Sequence, residues 1–269
     1  MRHFLIEVGK EGEILHDFSF EATQAIRFTE WFRGEREYDY SLVSGQREWK
    51  DIIPKTVSVE DIIPVGSLSF VISFLRKIGY NVENITPLNI PEFLQDERFI
   101  KREYRRGTKD ELLGGESALP LFIKEAERYK GFTSIVTNEH ELKDVPTNRK
   151  LDISEVVEIE SEWRVFVQND TILDAKNYVG HELFPVQPDE QVILDLVKAI
   201  EQQRYKGTPF PTAYTLDVGV NQSGTFLIEC HPFVSCGLYG FSKLIRYPSM
   251  LIQGIAYFKQ QAGRGECTR

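Results

Sequence analysis

The stretch LDVGVNQSGTFLIECHPFVSCGLYGF, residues 216–241, decides how the rest of the chain is read. Two short apolar segments flank a turn at Asn221, Gln222, Ser223 and Gly224, which predicts a β-hairpin. Each arm carries one acid among apolar neighbours, Asp217 in TLDVGV and Glu229 in FLIEC, and His231 stands two residues beyond the glutamate. Core strands seldom hold a carboxylate, because an unpaired buried charge costs more than a core side chain contributes. Two such acids on adjacent strands, aimed at one point, suggest a cation. Oxygen ligands with room for phosphate suggest magnesium. The same pattern is met by two acids matched to nearby Lys or Arg. His231 fits three roles: a metal ligand, a donor to a ligand, or a substrate contact. Neutral imidazole suits manganese or zinc better than magnesium. Cys230 and Cys236 flank the hairpin acids, but CHPFVSC lacks the spacing of a zinc knuckle, so they read as packing residues.

Bulk properties bound what surrounds this hairpin. The chain has 269 residues, 41% of them hydrophobic and 27% charged, enough for two or three lobes with a large core. No apolar run is long enough to span a membrane. The start, MRHFLIEVGKEGE, carries no apolar segment of the kind that directs secretion. The net charge of -9, from 32 basic and 41 acidic residues, argues against a general nucleic-acid binder, though a local basic groove stays open. Three cysteines, Cys230, Cys236 and Cys267, fit free thiols in a reducing cytoplasm.

The N-terminal part reads as mixed α/β. FLIEV (4–8) predicts a strand. FEATQAIRFTEWFRG (20–34) predicts a helix with a stripe at Phe20, Ala25, Ile26, Phe28 and Phe32, ending at Gly34. In IIPVGSLSFVISFLRKIGY (62–80) a short strand meets a turn at Gly66 and Ser67. A helix follows, with Phe70, Phe74, Leu75 and Ile78 inward and Gly79 as its stop. This is a Rossmann-like half-unit without the dinucleotide glycine fingerprint. ITPLNIPEFL (85–94) reads as a crossover into a new region. DERFIKREYRRGTKDEL (96–112) is the most basic stretch, with Arg98, Lys101, Arg102, Arg105, Arg106 and Lys109. After it come strands in 119–136 and 155–180, with a helix-like link at 140–145. A helix at 189–203 precedes the hairpin, and a packing helix with a frayed tail closes the chain at 247–263.

Two further motifs carry chemistry. In LPLFIKEAERYKGF, Lys124 ends an apolar strand and Lys130 precedes Gly131. A lysine at the edge of a buried strand asks for an anion, and phosphate is the obvious one. The plainer alternative is a snorkelling lysine followed by a surface lysine. In EVVEIESEWRVFV, the backbone about Val156 and Val157 would meet a purine edge, Glu155 an exocyclic amine and Glu162 the ribose hydroxyls. Arg164 shares a side with Glu162, and its planar fork suits a phosphoryl or carboxylate group. An exposed strand face with a Glu–Arg pair fits the same residues.

Taken in order, these segments resemble the ATP-grasp superfamily. The similarity is greatest to its phage- and bacteria-associated clade named for two arginines and a lysine. It rests on IIPVGSLSFV with PLNIPEFL, PLFIKEAERYKGF, SEWRVFV, and LDVG with LIECHPFVSCGLYGF, and covers roughly residues 60–245. The resemblance implies an α/β (α+β) fold: a Rossmann-like pre-ATP-grasp domain over 1–95, then a two-lobed ATP-grasp domain over 96–269 with antiparallel sheets. The nucleotide lobe would span about 96–160 and the metal and catalytic lobe about 161–269. By the same resemblance Lys124 and Lys130 bind the phosphates of ATP. Glu155 with the backbone of Val156, Val157 and Glu158 holds adenine, and Glu162 holds ribose. Asp217 and Glu229 hold magnesium or manganese, with His231 where the family commonly has asparagine. Arg164 is one clade arginine and Arg102 the other, with Arg105 and Arg106 as alternatives, and Lys176 is a basic residue near the phosphates. The implied activity is an ATP-dependent carboxylate–amine ligase in the cytoplasm, acting on a small molecule or peptide. A nucleotide-dependent kinase, a nucleic-acid-end ligase and a non-catalytic ATP-binding protein are the alternatives.

Overall fold

The computed structural model describes residues 1–44, 49–114 and 118–263. Cys267 and the expected frayed tail beyond 263 lie outside them. The first sheet is parallel, with strands β1 (Arg2–Val8), β2 (Tyr38–Ser44) and β3 (Ile62–Val65) in the order β2-β1-β3. Helix α1 (Asp17–Arg33) joins β1 to β2, and α2 (Leu68–Lys77) follows β3. Phe4, Leu5, Ile6 and all of β3 are buried, as a parallel sheet covered by helices requires. Ser67 caps α2 through its hydroxyl, which accepts from the Phe70 N–H at 3.2 Å.

Helix α1 begins three residues before the expected start, at Asp17, and buries Ala25 and Ile26 of the expected stripe but not its phenylalanines. Phe18, Ala22, Ala25, Ile26 and Thr29 face the sheet, while Phe20 and Phe32 are exposed. Two helical faces compete in this segment, and the sheet takes the one with small residues that let the helix approach. Phe28 instead stacks outward on Phe32.

Next come α3 (Glu97–Ile100), β4 (Tyr104–Gly107), α4 (Lys109–Gly114), β5 (Leu121–Glu125), β6 (Thr133–Val136) and β7 (Leu151–Glu155). Their strands form an antiparallel sheet in the order β4-β7-β5-β6 over a small core that includes Ile123, Val136, Leu151 and Ile153. The last sheet has the order β11-β10-β8-β9, from β8 (Ser161–Gln168), β9 (Thr171–Val179), β10 (Ala213–Asn221) and β11 (Gly224–Pro232). Helix α5 (Glu190–Tyr205) precedes β10, and α6 (Tyr247–Ala262) ends the described chain.

Strand alternation divides the last sheet into two faces. Trp163, Val165 and Val167, with Leu216 and Val218, pack with Leu196 and Ile200 of α5. Phe166 and Ala213, on the other face, join the core of the first sheet, together with Tyr247, Met250, Leu251 and Phe258 of α6. No helix among the described residues is long and apolar enough to cross a membrane.

Candidate active site

The register of the last sheet places four charges in one transverse row. Lys176 stands opposite Arg164, Arg164 opposite Asp217, and Asp217 opposite Glu229. Opposed residues share a face, so the row reads plus, plus, minus, minus across four strands. His231, opposite Thr215, is the next residue of β11 on that face. A bulge follows at once: the ladder resumes at Val218 and Leu227, and Ile228 is left over. Such a bulge re-aims the neighbouring side chain, here Glu229, while Asp217 stays in the ladder.

Both hairpin acids are held by cations. Arg164 donates from Nε to Asp217 Oδ1 at 2.8 Å and from Nη2 to Oδ2 at 2.7 Å, and its Nη1 donates to the Gly237 carbonyl at 3.0 Å. Its guanidinium lies over the rings of Tyr239 and Tyr178, which stack on each other. Lys124 reaches from β5, in the other antiparallel sheet, to Glu229 Oε2. His231 Nε2 lies 2.9 Å from Glu229 Oε1 and 3.7 Å from Asp217 Oδ2. Burial opposes ionisation of Asp217, yet hydrogen bonds from Arg164 and His231 outweigh it and hold the carboxyl below its ordinary range. Desolvation also opposes ionisation of half-buried Glu229, but His231 and Lys124 outweigh it and push its carboxyl well down. Burial works against a charged His231, but the two carboxylates outweigh it and raise its pKa to about 9.

One potential ligand atom from each of Asp217, Glu229 and His231 lies within 4.8 Å of the others. Two carboxylate oxygens at that separation suit a magnesium or manganese ion, and the imidazole nitrogen favours manganese. The two sequence readings of the hairpin acids, a cation site and matched ion pairs, therefore meet in one cluster. The thiols of Cys230 and Cys236 are buried, and burial pushes Cys236 up to about 12 and Cys230 up as well, which disfavours the reactive thiolate in both.

Two cavities open on either side of Lys124. The larger, about 550 Å³, lies between the two antiparallel sheets, and Lys124, Glu155, Val156, Val157, Glu162 and Glu229 all line it. The smaller, about 360 Å³, lies toward the first sheet and holds Lys130, Arg164 and His231. Lys124 and Asn89 line both. Asp217 sits behind Arg164, lining neither. Glu158 is exposed outside both cavities, and Lys176 is held by Asp174 at 3.2 Å on the far flank of the row.

The two arginines singled out from sequence occupy different cavities. Arg102 lines the larger one and donates to the carbonyls of Ile100, at 3.1 Å, and Leu227, at 2.9 Å, latching the region before β4 onto the hairpin. Three more residues of the basic stretch are engaged internally, while Arg98 is exposed beside Asp96. Lys101 donates to the Ser223 carbonyl, Arg106 to Asp152, and Lys109 to the carbonyls of Lys143 and Val145.

Sequence reading passed over Asp152 and Asn89. Buried Asp152 accepts from Tyr104 at 2.7 Å, Arg106 at 2.8 Å and Asn89 at 2.9 Å. It stands opposite Lys124 on the cavity wall. Its signal was present: LDI repeats the apolar–acid–apolar pattern that singled out Asp217 in LDV. Asn89, at a left-handed φ of 46°, joins three elements. Its carbonyl accepts from Cys230 N–H at 2.7 Å, and its amide donates to the Ala126 carbonyl and to Asp152, each at 2.9 Å.

The sequence pattern of the ATP-grasp domain, R2K clade family 2, matches residues 99–247, more than half of the chain. No curated protein matches the sequence. Among solved structures, the chain is similar to a RimK-domain ATP-grasp protein from Sphaerobacter thermophilus, with 14% identity, 96% of this chain and 99% of that one covered, and a TM-score of 0.55. A D-alanine–D-alanine ligase from Bacillus anthracis is 12% identical, with 97% and 100% covered and a TM-score of 0.53. An N5-carboxyaminoimidazole ribonucleotide synthetase from Thermotoga maritima is 17% identical, with 94% and 76% covered and a TM-score of 0.50. At these identities the likeness speaks for the fold, and the matched sequence pattern for the family. The chain, with its two antiparallel sheets closing on a cavity walled by Lys124 and Glu229, belongs to the ATP-grasp superfamily, in family 2 of the R2K clade.

Proposed function

We propose that the protein is an ADP-forming ligase that joins a carboxylate to an amine through an acylphosphate. The observation that carries this reading is Lys124, which touches Glu229 and lines both cavities. ATP occupies the larger cavity, with adenine against Glu155, Val156 and Val157, ribose at Glu162, and the phosphates at Lys124; Lys130, expected at the phosphates, faces the smaller cavity. Asp217 and Glu229, with His231 beside them, hold magnesium or manganese, which when bound offsets charge on the phosphoryl oxygens. The acceptor carboxylate binds in the smaller cavity with Arg164, and Arg102 steadies the nucleotide side. Lys176 adds positive charge along the row. In this division residues 1–95 are the leading domain and 96–269 the ATP-grasp domain.

The chemistry needs positioning and charge neutralisation rather than a protein nucleophile. A carboxylate oxygen attacks the γ-phosphorus, and ADP leaves with the bridging oxygen. The amine nitrogen then attacks the acyl carbon, the C–O bond to phosphate breaks, and the amine proton leaves with inorganic phosphate. Incubation with ATP, magnesium and a panel of carboxylates and amines tests this. ADP and phosphate should appear only with the right pair, together with a product heavier by the joined partner. Formation of AMP and pyrophosphate would sink the acylphosphate route.

The internal engagement of most of the basic stretch 98–109 supports this reading over a nucleic-acid-end ligase. The cations on both hairpin acids favour one alternative, an ATP-binding protein without turnover. Thermal stabilisation by ATP and magnesium, with no ADP released across the whole panel, would select it.

A further inference from the structure

The smaller cavity differs from the nucleotide cavity in its charge. Lys124, Arg128, Lys130 and Arg164 line it, with two histidines, and no Asp or Glu is in its lining. Most of the cationic side chains meet a carboxylate behind the wall, and Glu7 lies 4.0 Å from His16 Nε2. Asp217 is taken by Arg164 and Glu229 by Lys124 and His231. Arg128, at 4.0 Å, shares one oxygen of Glu125 with Arg149, at 3.6 Å. Lys130 has no ion pair within 4.0 Å among the described residues.

The remaining wall is apolar, with Phe18, Leu68 and Val234. At about 360 Å³ the cavity has room for one or two residues' worth of ligand. One buried polar atom marks the boundary with the nucleotide cavity. Asn89 is 3% exposed, and its amide nitrogen has two acceptors, which fixes the flip and leaves Oδ1 without a partner. An unpartnered acceptor at such a place asks for a ligand N–H.

Resting on the ligase reading above, we infer that this cavity takes a carboxylate with an apolar body and no free ammonium group: an N-acylated amino acid or a peptide C-terminus, not a free amino acid. The carboxylate supplies a counter-charge to Lys130, beside Arg128 and Arg164 on the same lining. An ammonium group next to it would sit among cations, with no acid in the lining to receive it. Acylation removes that charge and keeps one N–H for an acceptor.

Calorimetry with ADP and magnesium present tests the inference, using N-acetyl-leucine and leucine as probes. N-acetyl-leucine should bind at least about tenfold more tightly. Arg128→Glu, at a side chain 62% exposed, should weaken that binding by about tenfold or more while thermal stabilisation by ATP persists. Leucine binding as well as its acetylated form, or neither binding, overturns the assignment. Release of ADP with hydroxylamine as nucleophile separates carboxylate binding from ligase turnover. N-acetyl-leucine that binds without ADP release supports the cavity assignment and sinks the ligase reading. ADP release with leucine at equal efficiency does the reverse.

Discussion

Lys124 and Glu229 meet at the wall of the larger cavity from strands of different sheets, 105 residues apart in sequence. Each is the other's counter-ion, so an incoming triphosphate and an incoming cation compete with the same contact. Lys124→Met should weaken ATP binding by about tenfold or more, an effect of the size expected for a desolvated charge contact. Glu229→Gln should act in the opposite sense when magnesium is chelated, since it frees Lys124 for phosphate, and should abolish the gain from added magnesium. Calorimetric titration of ATP with and without chelator reads both effects. Equal weakening by the two variants would show that the contact is purely structural.

Asp217 and Arg164 form a bidentate pair that is nearly closed to water, with side chains 4% and 9% exposed. Breaking one side leaves an uncompensated buried charge, so Asp217→Asn should cost about 3–5 kcal/mol of folding stability. Replacing both partners, Asp217→Leu with Arg164→Met, should cost less than the sum of the single changes. Urea midpoints for the four proteins of the cycle give the coupling.

His231 puts a ring nitrogen beside two carboxylates, where an amide oxygen would suit a hard cation better. His231→Asn should therefore raise turnover with magnesium relative to manganese. The ratio of ADP-release rates in the two metals measures it, and an unchanged ratio removes His231 from the ligand set.

His3, in β1, supplies a pH dependence of its own. It is 1% exposed, Nε2 lies 2.9 Å from the Ser41 hydroxyl, and Nδ1 has no partner. Burial lowers its pKa below 6.5, against a weaker upward pull from Asp39. The unfolded chain titrates near 6.5, so below that pH it takes up a proton that the folded chain refuses. This stability is complete above 6.5 and is lost as the pH falls toward the folded value. The slope is at most about 1.4 kcal/mol per pH unit. His3→Asn should flatten the difference between urea midpoints at about pH 7.5 and about pH 5.5.

Gly254 lets α6 lie directly on the backbone after β11. A Cβ at this position would fall 2.2 Å from the Phe233 carbonyl oxygen and 2.8 Å from its carbon. Neither atom can move away as a flexible side chain would. Gly254→Ala should destabilise by about 3 kcal/mol, even though alanine is the better helix former. A lowered thermal midpoint would show it, and it should weaken the smaller cavity too, because Val234 lines that cavity.

The hairpin acids were legible in the sequence because they interrupt an apolar strand, and Lys124 because it ends one. Their partners were less so. Arg164 joins Asp217 through the pairing of β8 with β10, strands separated by β9 and α5, and nothing local announces that register. Arg102 and Arg164 are the same residue type in similarly polar strings, yet tertiary placement sends them to different cavities. Phe20, Phe28 and Phe32 of α1 do not face the core, unlike Ala25 and Ile26, for a comparable reason. These aromatic residues satisfy helical spacing on a second face, and only the close approach to the first sheet selects Phe18, Ala22 and Ala25. Asn89 gave little sign of its role, since one asparagine before an Ile-Pro step is ordinary loop sequence.

Helix α6 closes the core of the first sheet from the far end of the described chain. The Asn81 N–H donates to the Gly263 carbonyl at 3.2 Å, and the Asn84 side chain to the Ala262 carbonyl at 3.1 Å. Phe258, Ile255 and Leu251 share one apolar core with Phe4, Ile62 and Phe74. The cover of this sheet is therefore supplied by residues about 180 positions further along the chain than its third strand. Loosening of α6 alone uncovers apolar side chains of β1, β3 and α2.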